Sequence, residues 1–296
     1  MSKNPVRVDR IQSGLTPSHL LFGAVALMCV GLPSHAASAQ EGSSQPRESA
    51  EAPVVQWIQI DGDLNDWPAA MPRYSLRKLF PFGESSWEGT DFSTSPDLSA
   101  SFMVGYEPKK QVLYLAVIVR DDELVVGTTS DLDTDAMEVF IDGLRSNRRI
   151  ARPPGGLTWH QNIGLSDLPV QQYIAIPGKG KVYGMEYGTN PILISGDLKK
   201  TQTRMAYRRK GDITTYEWAI QVFDQYPDKP TKLEPGKRIG FDLAISDRDV
   251  PAMSPGTQAQ LEEPEEYRRS WLYWNPVWDG MKVLNAGSIG ELVLGK

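Results

Sequence analysis

The sequence has few of the residues that crosslink small secreted domains or build common catalytic sites. It contains one cysteine, Cys29, and three histidines, of which only His160 lies outside the N-terminal segment 1–39. A single cysteine excludes an internal disulfide framework. A Ser-His-Asp triad would have to use His160, and no second strand offers the partner acid that a glycosidase needs opposite Glu138 and Asp142. We therefore do not predict an enzyme from this chain alone, and expect a large apolar core to stabilise it.

Long apolar runs are also scarce. The apolar segment 20–32 is too short to span a bilayer comfortably. It follows a basic segment and precedes Ala37-Ser38-Ala39, which is the pattern of a secretory signal peptide. We predict a signal peptide over 1–39 and a disordered linker over 40–53, which is rich in Ser, Glu, Gln and Pro. The protein is then exported to the periplasm, the cell envelope or the extracellular space.

Basic residues are fewer than acidic residues. The formal net charge is −6, and the predicted leader removes three basic residues but only one acidic residue, so the remainder is more acidic still. An acidic surface does not attract nucleic acid or an anionic membrane. The charge therefore argues against both classes of partner.

Short apolar or alternating segments between Gly, Pro and Asp turns are abundant. The run 112–119 is apolar throughout, which predicts a strand covered on both faces. The segment 136–142 alternates, so that Val139 and its alternate neighbours face one side and Glu138 the other. Because a carboxylate in mid-strand is costly in a dry interior, we expect Glu138 to face a groove, and this groove is the candidate ligand site.

The remaining pattern predicts many more strands and hardly any helix. Further strands are predicted at 57–60, 98–106, 170–176, 182–187, 191–195, 202–208, 214–222, 239–246, 270–274 and 288–294. Long loops are predicted at 73–97 and 250–266. This pattern predicts an all-β fold over 54–296, a mostly antiparallel β-sandwich or jelly roll with long loops.

The order of the motifs resembles that of the family 9 carbohydrate-binding modules. The motifs are IDGDLNDW, DLSASFMVGYE, VLYLAVIVRDDE, DAMEVFID, YEWAI, IGFDLAISDRD and a Trp-rich end closing on IGELVL. The resemblance runs from about Val54 to the C-terminus. It implies a calcium-stabilised β-sandwich that grips the end of a sugar chain between aromatic rings. It also implies a part in polysaccharide catabolism, since these modules are usually attached to glycoside hydrolases such as xylanases.

The resemblance and the alternating strand point to the same groove. The candidate carbohydrate-binding residues are Glu138, Gln172, Asn275, Trp278, Trp274 and Trp159. Aromatic rings cover the apolar faces of a sugar, and carboxylate or amide groups bond its hydroxyls. The family's clamp tryptophan ahead of the EVFID strand is matched here by Leu132, so Trp159 is expected to supply the missing wall.

Acidic residues in turns are candidates for a structural calcium site. These are Asp61, Asp63, Asp247 and Asp249. The series Asp131, Asp133 and Asp135 resembles the first half of an EF-hand loop, but Ala136 stands where that loop needs glycine. We therefore expect no EF-hand, and ordinary solvated turns remain the alternative to a metal site.

The predicted function is a non-catalytic, exported carbohydrate-binding protein of micromolar to millimolar affinity. Four other tryptophans are expected to pack in the interior: Trp57, Trp67, Trp218 and Trp271. Two other functions stay open. One is a scaffold or protein-interaction domain whose sugar site has decayed. The other is a haem-binding electron-transfer domain that uses His160 with Met185 or Met205 as axial ligands.

Overall fold

The computed structural model describes residues 47–80, 91–126, 134–150, 168–183, 197–198, 202–226, 228–248, 270–275, 277 and 282–296. All of them belong to one compact unit, Ser44–Lys296. The predicted signal peptide, the strand at 191–195 and the loop at 250–266 lie outside the described residues. No helix in the described part of the chain is long and apolar enough to cross a membrane.

Within these residues the chain is almost entirely strand. The strands are β1 (Ser49–Ala52), β2 (Tyr74–Leu76), β3 (Lys78–Phe80), β4 (Leu98–Glu107), β5 (Val112–Asp121), β6 (Ala136–Asp142), β7 (Gln171–Ile176), β8 (Lys181–Tyr183), β9 (Asp197–Leu198), β10 (Thr203–Lys210), β11 (Ile213–Ile220), β12 (Phe223–Gln225), β13 (Lys229–Pro230), β14 (Arg238–Asp247), β15 (Ser270–Tyr273) and β16 (Gly290–Leu294). Short 3-10 turns lie at Leu64–Asp66, Pro177–Lys179, Lys282–Leu284 and Ala286–Ser288. The predicted all-β class is confirmed.

The larger sheet has eight strands and is organised around β14. Its path runs β1-β16-β14-β6-β7-β8. One edge of β14 pairs with β16 along its first half and with β15 along its second half, and β3 extends the sheet beyond β15. All of these pairs are antiparallel except β1–β16, which is parallel.

The smaller sheet has six strands in the order β2-β4-β5-β11-β10-β9, all antiparallel. Strand β5 lies in its interior between β4 and β11 and is buried over most of its length. The prediction of a strand covered on both faces is therefore confirmed. Strands β12 and β13 form a separate two-stranded hairpin.

The main core lies between the inner faces of the two sheets. Alternate residues of β6, including Val139, join inward residues of β14 and of the smaller sheet in one buried cluster. Aromatic rings fasten the layers, because the Phe102 ring of β4 lies 5.2 Å from the Trp274 ring and 5.5 Å from the Phe241 ring, measured between centroids. Trp218 is fully buried in the same cluster, as predicted.

The outer face of the smaller sheet is covered by the segment that carries the IDGDLNDW motif. Glu217 of β11 is fully buried there and accepts hydrogen bonds from the Trp67 indole at 2.7 Å and from the Asp61 and Gly62 amides. Gly62 has φ 82, a conformation that favours glycine. Burial raises the pKa of the Glu217 carboxyl, and the bond from Trp67 opposes that shift. The motifs IDGDLNDW and YEWAI therefore make one structural anchor.

Four predictions near the N-terminus are wrong. Part of the predicted linker, Ser49–Ala52, forms β1, because Ala50 and Ala52 alternate into the core. No strand forms at 57–60, and Trp57 is 80% exposed with φ 68 rather than buried. The predicted loop at 73–97 contains β2 and β3.

Candidate functional site

The candidate site is the outer face of the larger sheet, which points away from the core. Glu138 of β6, Ala244 of β14 and Tyr273 of β15 are direct partners across three adjacent strands. Strand spacing places the backbones of Glu138 and Tyr273 about 10 Å apart. Ala244 and Tyr273 are buried in a cluster with Phe80, Ala286 and Ile289, and Glu138 is 7% exposed, so most of this row of three residues is covered by other parts of the chain.

One end of the row is a carboxylate–amide pair. The Gln172 amide nitrogen donates a 2.5 Å hydrogen bond to the Glu138 carboxylate. Glu138 is 7% exposed and Gln172 is also buried. The sequence-predicted neighbours Glu138 and Gln172 are thus brought together. A carboxylate accepts hydrogen bonds and an amide both accepts and donates them, which suits a ligand rich in hydroxyl groups.

The other end of the row is aromatic. The Trp271 and Tyr273 rings are stacked, with centroids 6.0 Å apart and an interplanar angle of 12°. The Phe80 ring meets Tyr273 edge-on at 5.5 Å. Trp271 was expected in the core but is only partly buried and lies on the outer face. The alternation of β15 places Trp271 and Tyr273 on the same side, a signal that the sequence contains.

Trp274 and Asn275 do not belong to this face, contrary to the prediction. Trp274 is buried in the main core, with its ring edge-on to those of Phe102 and Phe241. Asn275 is fully buried; its side chain accepts a hydrogen bond from the Glu48 amide and donates one to the Ser288 carbonyl. Alternation explains the position of Trp274, because the residue after Tyr273 turns inward. Asn275 ties chain segments together rather than facing a ligand.

A buried ion pair holds the C-terminal loop against this face. The Lys282 ammonium donates to the Asp242 carboxylate at 2.8 Å and to the Val277 and Ser288 carbonyls, and both charged side chains are completely buried. The ammonium also lies 4.5 Å from the centre of the Tyr273 ring. Burial raises the pKa of the Asp242 carboxyl, and Lys282 opposes that shift. This pair was not predicted from the sequence, because Lys282 stands in no recognisable motif, although Asp242 lies in IGFDLAISDRD.

Several predicted residues lie outside the described part of the chain. These are Trp278, Trp159, Leu132, Asp249, His160 and Met185. Val277, next to Trp278 in the sequence, is described and is bonded to Lys282. The roles assigned to Trp278 and Trp159 stay predictions.

The described residues predicted to hold calcium lie in two different parts of the fold, and the calcium site stays a prediction. Asp61 and Asp63 are both held by the guanidinium of Arg208, which bonds Asp63 at 3.0 Å, so their charge is already compensated. Asp247 is buried at the end of β14, in the other sheet. No group of three or more His, Cys, Asp or Glu side chains suited to a metal occurs among the described residues.

Comparisons with known proteins bear on the fold. No family model and no curated protein matches the sequence. Two solved structures of a family 9 carbohydrate-binding module from Caldicellulosiruptor kristjanssonii, one in complex with glucose and one with cellotriose, match with a TM-score of 0.50 and 15% identity. The matches cover 84% of this chain, 97% of the glucose-bound chain and 94% of the cellotriose-bound chain. This chain therefore has the fold of the family 9 carbohydrate-binding modules.

Proposed function

We propose that this protein binds carbohydrate without altering it, through the outer face of the larger sheet. The observation that carries the proposal is the row Glu138–Ala244–Tyr273, with Gln172 bonded to one end and Trp271 stacked on the other. A sugar ring has apolar C–H faces and a rim of hydroxyl groups. The partly exposed Trp271 ring, stacked on Tyr273, suits the first, and the carboxylate–amide pair suits the second.

The fold supports this choice of ligand. The similar structures hold glucose and cellotriose, both built from neutral hexose rings. Oligosaccharides and polysaccharides of neutral sugars are therefore the first ligands to test. In this proposal Trp278 and Trp159 supply further ring surface, and the protein acts after export, in polysaccharide catabolism. The predicted signal peptide over 1–39 supports export.

Isothermal titration with gluco-oligosaccharides, following a screen by affinity electrophoresis in gels containing different polysaccharides, tests the proposal. The wild type is expected to bind with a dissociation constant of about 1 µM to 1 mM. Glu138→Gln replaces a charge-assisted acceptor by a neutral one and should weaken binding about tenfold. Trp57→Ala is the matched control, since it removes an exposed indole from the segment that covers the other sheet. Equal retention of Glu138→Gln and Trp57→Ala on every ligand that binds would contradict the proposed site.

A scaffold without sugar binding is the second candidate. One observation favours it, because two of the predicted sugar contacts have structural roles. Trp274 packs in the core, and the Asn275 side chain bonds the backbone of Glu48 and Ser288. A scaffold would show no retardation in any polysaccharide gel and no heat of binding. For haem binding, Met205 offers little, because its side chain is buried in the main core.

A further inference from the structure

Arginines gather at one place on this acidic protein. The arginine cluster comprises Arg47, Arg145, Arg148, Arg149 and Arg238. Arg145 and Arg238 both bind the buried carboxylate of Glu291, the latter at 2.6 Å. Arg47 donates to the Asn147 side chain at 2.7 Å, which places it against the same loop. Arg148 and Arg149 are exposed on that loop. A protein of net charge −6 thus has five arginines near one loop, and the Glu291 carboxylate pairs with two of them.

The loop that presents these arginines, residues 144–150, is fixed by hydrogen bonds. The Asp142 carboxylate accepts bonds from the Leu144 amide and from the Ser146 hydroxyl. Along its other edge, the Arg148 carbonyl accepts from Ala286, and the Ile150 amide donates to Leu284. The backbone that carries the arginines is therefore ordered before any ligand arrives, which lowers the entropy cost of binding.

Two residues of the loop adopt a strained backbone. Arg145 has φ 50 and Asn147 has φ 54, in the left-handed region that residues with a side chain rarely occupy. Strain of this kind persists only where the surrounding contacts enforce it, and it is concentrated at functional sites. Trp57, Gln111 and Gln202 share this conformation, so it indicates that contacts hold the loop and is not by itself the mark of a binding loop.

The position of the cluster relates it to the proposed sugar site. The loop follows β6 directly, and β6 also carries Glu138. Asp142 lies four residues beyond Glu138 along the strand, a length of about 13 Å. Phe140, which lies between them on the same face, is buried in a cluster with Val170, Ala286 and Ile289, so an oligosaccharide bound at Glu138 has to extend over this covering surface to reach the arginine cluster.

We infer that the arginine cluster is an extension of the binding site that takes the carboxylate groups of an acidic polysaccharide. This inference rests on the proposed sugar site and names its ligand class. A guanidinium pairs with a carboxylate through two parallel hydrogen bonds. The Glu138 carboxylate repels a uronic acid, so a neutral ring binds at Glu138 and the uronic acid binds at the loop. The expected ligand is thus a polymer that contains both neutral and acidic sugars.

Paired polymers that differ only in charge test this inference. Affinity electrophoresis is run in glucuronoxylan and in its carboxyl-reduced form, and in half-esterified and fully methyl-esterified polygalacturonate. The full-length protein is expected to bind the charged member of at least one pair more tightly, and added salt should weaken that preference. In Arg148→Gln/Arg149→Gln the affinity for the charged polymer should fall about tenfold, while the affinity for the neutral member stays unchanged.

The control is Arg204→Gln/Lys210→Gln, which removes the same charge from exposed positions on β10 in the other sheet. An equal loss in this control, or no preference for the charged polymer in any pair, overturns the inference. Loss of duplex DNA binding in Arg148→Gln/Arg149→Gln without any polysaccharide preference assigns the cluster to nucleic acid instead and also overturns it. If Glu138→Gln changes no neutral-polymer binding while the arginine effect persists, the proposed sugar site fails and the arginine cluster stands.

Discussion

Adjacent residues on β15 have opposite roles, because successive side chains of a strand point to opposite faces. Trp271 and Tyr273 form the aromatic side of the candidate site, whereas Trp274 packs against Phe102 and Phe241 in the core. Trp274→Ala should lower the free energy of unfolding by about 3–5 kcal/mol, since it leaves a large cavity. Urea denaturation measures this. Trp57→Ala removes an indole that is 80% exposed and should change the value by less than about 0.5 kcal/mol. A small effect of Trp274→Ala would show that its ring is not part of the core.

Glu217 is a polar residue whose role is purely structural. Its carboxylate accepts from the Trp67 indole and from the amides of Asp61 and Gly62. Glu217→Gln places an amide donor among these donors, so unfolding should become easier by about 2 kcal/mol. Glu123→Gln, at an exposed position, is the control for the chemical denaturation measurement. Equal stability of the two variants would mean that these bonds contribute nothing net.

The sequence patterns predicted which face of a strand a residue occupies better than they predicted its hydrogen-bond partners. The alternation of β6 correctly separated Glu138 from Val139, because period-two alternation is a local property. The burial of Asn275 was not predictable, since its partners are a backbone amide at Glu48 and a carbonyl at Ser288. Lys282 was missed for the same reason, because its acceptors are set by the fold.

At the scale of elements, β1 shows how a segment with a disordered composition can be structural. It pairs with β16, and the Tyr74 hydroxyl bonds the Glu51 backbone on the opposite edge. A chain that begins at Val54 should lose about 3 kcal/mol or more of unfolding free energy relative to one that begins at Arg47, at about 1 kcal/mol for each lost hydrogen bond. Thermal and urea unfolding of the two chains compare them. Indistinguishable unfolding would show that β1 is a dispensable addition to the sheet.

The Lys282–Asp242 pair joins the C-terminal loop to β14. Lys282→Met leaves the Asp242 carboxylate buried without its counter-charge, so stability should fall by about 3–5 kcal/mol. The double variant Asp242→Asn/Lys282→Met removes both charges and should recover much of that loss. Equilibrium denaturation of the two variants measures the difference. If the double variant is no more stable than the single one, the loss comes from packing rather than from the uncompensated charge.

Long strands were predictable and short edge strands were not. Strands β4, β5, β6 and β14 follow apolar or alternating segments closely, because each buries many side chains. Strands β2 and β3 have three residues each, too few for a visible period, and they exist because β4 and β15 offer pairing edges. Pairing between distant segments is a property of the tertiary structure.

At the scale of the whole molecule, the two sheets have different outer faces. That of the smaller sheet is covered by residues that include Val55, Ile58 and Trp67 and is fastened through Glu217. That of the larger sheet carries the carboxylate–amide pair, the stacked rings and, at the end of β6, the arginine cluster. We therefore propose that ligands bind on one side of the sandwich and that the other side is covered by the chain itself.

The central claim is that the row from Glu138 to Trp271 binds a sugar ring. Its most direct test is titration calorimetry of Trp271→Ala against the tightest-binding neutral oligosaccharide, with a thermal melt of the same preparation. The account predicts an affinity at least about tenfold weaker than that of the wild type with an almost unchanged melt, since the indole is partly exposed on the outer face. Unchanged affinity in a folded Trp271→Ala protein would contradict it.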